Sequence, residues 1–385
     1  MARLKVLFVT AWYPTRNQPV DGIFVREHAK AVNLYDDVVV LHLAGYDQSI
    51  KGLWKLEKES DETITEGILI YQVWRKRSRI PGVSYFIYML SALLAFRRLM
   101  DQGFRPDIIH AHIFHAGVPS VLLGGIYRIP VVVSEQSTEF PRRILKGVNV
   151  WKVRFGFRRA TLVTPVSNAL QKTIQDYNIH ARFQVVPNVV DSELFHMRSL
   201  SPPNNELKRM LVVGLLDSSH KKGLPQLLYA LKELQRKRND WHLDVIGDGP
   251  ARKEYELLAR GLELTNKVTF HGLKSKPEVA DWMRQADLLV IPSLFETFSC
   301  VAAEALMTGI PVLTTRCGGP EEFVNEEVGY LVPPGDIDAL SFGLDYMLDN
   351  LGRYSHQEIS KYAKDRFSLE RVGEKLDEIY RSLKI

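Results

Sequence analysis

Two short apolar runs, Asp287 to Pro292 and Pro311 to Thr315, leave room between them for one helix. Runs of this kind mark strands buried on both faces, which occur in parallel sheets, so the stretch reads as one strand, helix, strand unit. The helix starts near Thr297 to Ser299, where hydroxyl side chains can cap free amides. It ends at Gly309, where a left-handed residue closes a helix. Glu296 stands on the turn leaving the first strand, and Glu304 follows eight positions later. At the helical rise per residue that separation is about 12 Å along the axis, which suits an extended ligand better than a single reacting atom.

A helix start favours phosphate, and carboxylates on either side of it can accept hydrogen bonds from vicinal hydroxyls. Sugar, diphosphate and ribose in that order describe a nucleotide sugar. The competing reading makes Glu296 a carboxylate favoured by the helix dipole and Glu304 a solvated residue. Against it, Glu304 lies in the apolar stretch Val301 to Leu306, where a carboxylate without partners is costly.

The segment E-T-F-S-C-V-A-A-E-A-L-M-T-G-I-P-V, from Glu296 to Val312, resembles the E-x7-E segment of glycosyltransferase family 4, whose members are retaining enzymes. The resemblance implies an α/β chain of GT-B architecture: two Rossmann-like, doubly wound parallel-sheet domains facing each other across a cleft. It also passes the family roles to this chain, Glu296 to the hydroxyls of the donor sugar and Glu304 to the ribose, with Thr297, Phe298 and Ser299 beside the diphosphate.

A length of 385 residues suits two domains. An apolar fraction of 45% with 25% charged residues is that of a soluble globular protein. The only cysteines, Cys300 and Cys317, have no metal-type spacing, which fits a reducing cytosol and implies no disulfide framework. The start, Met1 to Pro14, lacks a signal-peptidase site, and the longest apolar segment, Tyr85 to Phe96, falls short of the ~20 residues of a membrane span. Charge is uneven: up to Phe195 there are 25 Lys and Arg against 17 Asp and Glu, and 25 against 28 thereafter. The excess clusters in Arg75 to Arg79 and Arg142 to Arg159, where Trp151, Phe155 and Phe157 are interleaved. Either this is a solvated basic face or it meets anionic lipid; no nucleic-acid recognition module is present.

Along the first half, strand signals at Lys5 to Thr10, Asp37 to Leu43, Ile68 to Trp74, Asp107 to Ala111, Val131 to Ser134, Thr161 to Val166 and Phe183 to Val186 alternate with helical periodicity. The long loop after the first strand closes at Asp21-Gly22, where glycine would let the backbone approach a ligand. His110, His112 and His115 cluster at the end of D-I-I-H-A-H. A metal reading is disfavoured there because no carboxylate cluster joins them. The resemblance makes His112 a neighbour of the transferred sugar. Glu135 departs from the family pattern of histidine and aspartate. V-V-P-N-V-V-D resembles the family's P-N-G-V-D and makes Asn188 and Asp191 hinge residues.

The linker is read at Arg198 to Glu206. This gives an acceptor domain over 1–197, a nucleotide-sugar domain over 198–365, and a terminal helix, 366–385, that by analogy crosses back. The second half has Gly214-Leu215 where relatives carry G-R, and keeps Lys222-Gly223. The expected diphosphate cation is therefore Lys222, with His220 or Lys221 available to compensate for the missing arginine. Gly249, in G-D-G-P, resembles the family's turn after a strand and joins the donor-binding set. Asp336-Ile-Asp338 reads as a helix cap rather than a metal pair.

The expectation is a metal-independent retaining hexosyltransferase with His112, Glu296 and Lys222 as catalytic residues and no cofactor. A nucleotide-diphosphate sugar, UDP favoured over GDP, would donate to a saccharide or lipid-linked acceptor in cell-surface polysaccharide assembly. The site would be cytoplasmic, at the inner face of the plasma membrane. The alternatives are an epimerase or phosphorylase of the same fold, or a non-catalytic carbohydrate- or membrane-binding module.

Overall fold

The structure, a computed structural model, describes residues 2–16, 18, 21–80, 82–197 and 207–384. The linker read at 198–206 lies outside them. The chain forms two compact units, one of Met1–Val189 with Leu369–Ile385 and one of Val190–Ser368. The segment after Val189 belongs to the second unit because its bonds are made there. Val190 N–H donates to Phe367 O at 2.8 Å, and Arg284 Nη1 donates to Leu194 O at 3.0 Å.

In chain order the first unit holds β1 (Lys5–Thr10), α1 (Ile23–Asn33), β2 (Asp37–Tyr46), β3 (Trp54–Lys58), α2 (Glu62–Thr65), β4 (Leu69–Arg75) and α3 (Val83–Asp101). It continues through β5 (Ile108–His112), α4 (Ile113–Tyr127), β6 (Val131–Glu135), α5 (Val148–Arg159), β7 (Leu162–Pro165) and α6 (Asn168–Gln175). The sheet runs β3-β4-β2-β1-β5-β6-β7 and is parallel except for β3, which pairs antiparallel with β4. The sequence reading has no strand at β3. Its three charged residues, Lys55, Glu57 and Lys58, among five make it a charged edge, which a search for buried runs passes over. Phe183 makes only an isolated bridge, to Val163.

The second unit holds β8 (Lys208–Val213), α7 (Leu224–Gln235), β9 (Trp241–Ile246), α8 (Arg252–Gly261), β10 (Val268–Gly272), α9 (Lys276–Gln285) and β11 (Leu288–Ile291). After these come α10 (Cys300–Met307), β12 (Val312–Thr315), β13 (Gly329–Val332), α11 (Ile337–Asp349) and α12 (His356–Phe367). Its sheet is wholly parallel, in the order β10-β9-β8-β11-β12-β13. The last helix, α13 (Leu369–Leu383), belongs to the first unit, where Val372, Leu376, Ile379 and Tyr380 join the core formed by Phe8, Val40, Ile70 and α1. Gly373 lets the two helices touch: a Cβ there would meet Ala31 O at 2.3 Å.

Strand order fixes where each unit can bind a ligand. In such sheets the crevice lies outside the carboxyl ends of strands at the point where the order reverses. That point is between β1 and β5 in the first sheet and between β8 and β11 in the second. The loop closing at Gly22 follows β1 and His112 ends β5; Lys222 follows β8 and Glu296 follows β11.

Candidate active site

In the second unit, the loop leaving β11 is clamped before it becomes a helix. Glu296 N–H donates to Cys317 O at 2.8 Å and Gly319 N–H to Glu296 O at 2.9 Å, a parallel bridge that fixes the Glu296 backbone against the loop after β12. Only glycine fits at 319, since a Cβ there would lie 2.4 Å from Phe298 Cα. Ser299 then caps α10 from the left-handed region, at φ 73° and ψ 83°, its hydroxyl accepting the Ala302 N–H. A non-glycine residue held there stores about 1–3 kcal/mol, the kind of strain found at ligand clamps. The helix closes at Gly309, whose N–H bonds Leu306 O while Ile310 N–H bonds Ala305 O.

Lys222 arrives from the other side of the order reversal. Gly223 carries a φ of 66° and lies so close to Pro292 O that a Cβ would sit 1.8 Å from it, which brings the start of α7 against the end of β11. Lys222 Nζ consequently reaches Glu296 Oε1 at 2.6 Å, and Ser293 Oγ donates to the same oxygen at 2.8 Å. Burial works against the ammonium charge. The Glu296 carboxylate outweighs it by field and hydrogen bond, so the Lys222 pKa rises above its ordinary value. Lys222, Ser293, Glu296, Ser299 and Gly214 line one cavity of about 20 Å³ at the carboxyl edge of the sheet.

Other expected residues are placed differently. Only the part of the E-x7-E segment from Cys300 onward is helical, so the 12 Å axial separation of Glu296 and Glu304 does not apply; Glu304 lies in the second turn, half-buried. Phe298 is turned into the core, 5.2 Å from the Phe323 ring and 5.5 Å from that of Phe367, so its side chain is not in the cavity. Gly249 is required by chain packing, since a Cβ would meet Leu216 O at 2.3 Å; Gly22 likewise abuts Trp12 of its own loop at 2.5 Å. Leu215 is exposed. His220 and Lys221 are engaged elsewhere, His220 Nδ1 with Tyr255 OH at 2.9 Å and Lys221 Nζ with Asp217 at 3.4 Å. Asp336 caps α11 by accepting the Ala339 N–H.

In the first unit His112 ends β5 fully buried, stacked 4.3 Å from His110 and 4.5 Å from Phe8. His110 is satisfied by Tyr380 OH at 2.6 Å and Ser134 Oγ at 2.7 Å. Neither ring nitrogen of His112 has a partner among the described residues. Burial, and then the neighbouring His110 and His28, press its pKa well below the ordinary imidazole value, so the ring is neutral.

Comparison with known proteins gives the family and the fold. The family described as "Glycosyl transferases group 1" matches residues 196–366, and "Glycosyltransferase Family 4" matches residues 37–194. The chain is a family 4 glycosyltransferase. As such it is a retaining enzyme that uses nucleotide sugars. The glycosyltransferase is 25% identical to TuaC of Bacillus subtilis over 93% of this chain and 91% of that one. To glycogen synthase of Mycobacterium tuberculosis it is 26% identical over 68% of this chain, spanning 65% of the synthase's length. Among solved structures, Anabaena Alr3699/HepE in complex with UDP superposes with a TM-score of 0.76 at 21% identity, over 99% of this chain and 100% of that one, which shows the shared GT-B fold.

Two residues of the glycosyltransferase escaped the sequence reading. Ser293 shares the Glu296 oxygen with Lys222; its position three residues before the glutamate was the available signal. Glu135, noted only as a departure from the family pattern, is fully buried and accepts N–H groups from Phe114 at 2.9 Å, Gln136 at 2.8 Å and Ser137 at 2.7 Å. It thereby fixes the turn after His112, where Ile113 is forced to a φ of 65°, an outlier for a β-branched residue.

Proposed function

We propose that the glycosyltransferase moves a hexosyl unit from a UDP-sugar to a saccharide or lipid-linked acceptor in cell-surface polysaccharide assembly, on the cytoplasmic face of a membrane. The observation that carries the reading is the Lys222–Glu296 pair at the capped start of α10, on the order-reversal point of the second sheet. A diphosphate arriving there meets the positive end of the α10 dipole and the ammonium of Lys222. As Lys222 turns to phosphate, Glu296 is released to accept hydrogen bonds from sugar hydroxyls, and Glu304 takes the ribose. Departure of the nucleoside diphosphate is then stabilised by fixed positive groups without a protein-bound metal. His112, neutral and with unclaimed ring nitrogens, is assigned to a hydroxyl of the transferred sugar, which requires the strained His112–Ile113 turn to open. Support for a UDP donor comes from HepE, solved with UDP and with UDP-glucose. Support for the pathway comes from TuaC, named for teichuronic acid biosynthesis, and from WaaB, a lipopolysaccharide outer core galactosyltransferase of like fold.

The membrane reading rests on a patch of the first unit. On α5, Val148 and Trp151 are exposed, with Arg158 and Arg159 on the same helix and Arg142, Arg143 and Lys146 before it. Phe157 is core, so the aromatic component is Trp151 stacked on Phe155 at 5.2 Å. Lys152 Nζ, 3.9 Å from the Tyr85 ring, ties α5 to α3, which adds exposed Phe86. Helix α3 is long and apolar enough to cross a membrane, but Ile87, Ala92, Ala95, Phe96 and Leu99 are buried within the unit. Exposed aromatic and basic side chains on one patch support a surface contact with anionic lipid.

A thermal-shift panel of UDP-, GDP- and ADP-sugars tests the donor, with stabilisation by UDP-sugars expected and indifference to all three contradicting it. Incubation with donor alone separates the alternatives, because isomer formation or phosphate-dependent cleavage marks an epimerase or phosphorylase. Sedimentation with phosphatidylglycerol vesicles at low salt should carry down the wild type and leave Trp151→Ala in solution; a wild type that stays in solution removes the membrane assignment.

A further inference from the structure

Arg75 ends β4 at the carboxyl edge of the first sheet, in register with Tyr46 at the end of β2. It is only 8% exposed. Its guanidinium lies 4.8 Å from the Tyr46 ring centroid and 4.7 Å from that of Tyr88. One long hydrogen bond, 3.3 Å, runs from Nη1 to Leu43 O, and Nε is buried with no partner among the described residues. Among the described residues no carboxylate pairs with this cation. The acid beside it in the fold, Asp47, gives its backbone N–H to Arg75 O but turns its carboxylate to the N–H and hydroxyl of Ser49, at 2.8 and 2.6 Å. Arg77 brings a second guanidinium to 5.7 Å from the same Tyr46 ring, so positive charge accumulates where it would ordinarily be cancelled. The field is felt next door: His42 is held down to about 4, chiefly by burial, with the Arg75 charge adding to it.

Taking a lone cation out of water costs more than two ring faces and one long hydrogen bond return, so a buried arginine normally carries a carboxylate. Among the described residues none supplies the missing counter-ion. We propose that Arg75, assisted by Arg77, is an anion-binding site of the first unit that receives a phosphate or diphosphate group of the acceptor. The guanidinium fork fits phosphate oxygens in a way that a point charge does not. The site sits at the ligand-binding edge of its sheet, three strand spacings or about 14 Å from the end of β5 where His112 stands. That distance leaves room for a short saccharide between the bound anion and the hydroxyl that receives the sugar. The identity of the anion as the acceptor's rests on the transferase reading above; the anion site itself does not.

The test is calorimetric titration of inorganic pyrophosphate into the full chain already saturated with UDP, so that the site at α10 is filled. A second binding event is expected, weakened at least tenfold in Arg75→Met and less in Arg75→Lys, with UDP affinity unchanged in both. Arg75→Met should unfold no earlier than wild type, because a thioether between two rings carries no ion to desolvate. On the unaltered chain, pyrophosphate should slow hydrogen exchange over residues 43–47 and 74–77. A soluble saccharide prenyl diphosphate should displace the pyrophosphate, whereas phosphatidylglycerol vesicles should not; displacement by the vesicles would make the anion a membrane headgroup and overturn the acceptor assignment. Equal affinity in Arg75→Met, or protection confined to the α10 region, overturns the site. If pyrophosphate binds through Arg75 while no nucleotide sugar binds or turns over, the anion site stands and the transferase reading falls. If donors turn over and no second event occurs, this site falls alone.

Discussion

Replacing Glu135 by glutamine should change how the stability of the glycosyltransferase depends on pH. Burial pushes the Glu135 carboxyl up to about 7 from an ordinary 4.5; the N–H groups of Ser137, Gln136 and Phe114 pull the other way, and the charge of Glu139 adds a little to the rise. The sign follows from which form the fold disfavours. Because the folded-state pKa is the higher one, the ionised carboxylate weakens folding fully above pH 7, and the penalty disappears below pH 4.5. The gap corresponds to about 3 kcal/mol. Glutamine does not titrate, so Glu135→Gln lacks that slope, but its amide N–H2 confronts a backbone N–H that the carboxylate accepted, which costs about 1–3 kcal/mol. Urea unfolding of both proteins at pH 5 and pH 8 measures the balance. The variant should be the less stable at pH 5, and its deficit should shrink or reverse at pH 8 by about 2–3 kcal/mol. A deficit that is the same at both pH values would refute the assignment of a raised pKa to this carboxyl.

Lys222→Ala should lower kcat by about 10²–10³, the usual cost of removing one group that stabilises developing charge; an unchanged kcat would place the diphosphate elsewhere. Glu304→Ala should weaken donor binding about tenfold or more, read by calorimetry with a UDP-sugar, with little change in the unfolding midpoint. Activity should survive EDTA, and strict dependence on added Mg²⁺ would contradict charge stabilisation by Lys222 and the helix amides.

The parallel sheets were legible because buried strands leave uninterrupted apolar runs: Leu288–Ile291 and Val312–Thr315 appear where the sequence places them. The charged edge strand β3 leaves no such run. The resemblance, not the residue types alone, marked Lys222, and the structure brings it to 2.6 Å from Glu296, 74 positions away. Phe298 shows the limit. Its letter belongs to the motif, but its side chain fills an aromatic core with Phe323 and Phe367, which no spacing along the chain reveals. Gly22 was read as making room for a ligand and Gly249 as donor-binding by resemblance, whereas the neighbours they admit are the backbones of Trp12 and Leu216. Glu135 and Arg75 were invisible for a related reason: a buried charge looks like a surface charge until its surroundings are known.

The measurement that bears most directly on the donor site is a crystal structure of the chain with a UDP-sugar bound. The diphosphate should lie within hydrogen-bond distance of Lys222 Nζ and the first amides of α10, with Glu296 on the sugar hydroxyls and Glu304 on the ribose. A nucleotide seated elsewhere, with the 2.6 Å Lys222–Glu296 contact intact, would contradict it.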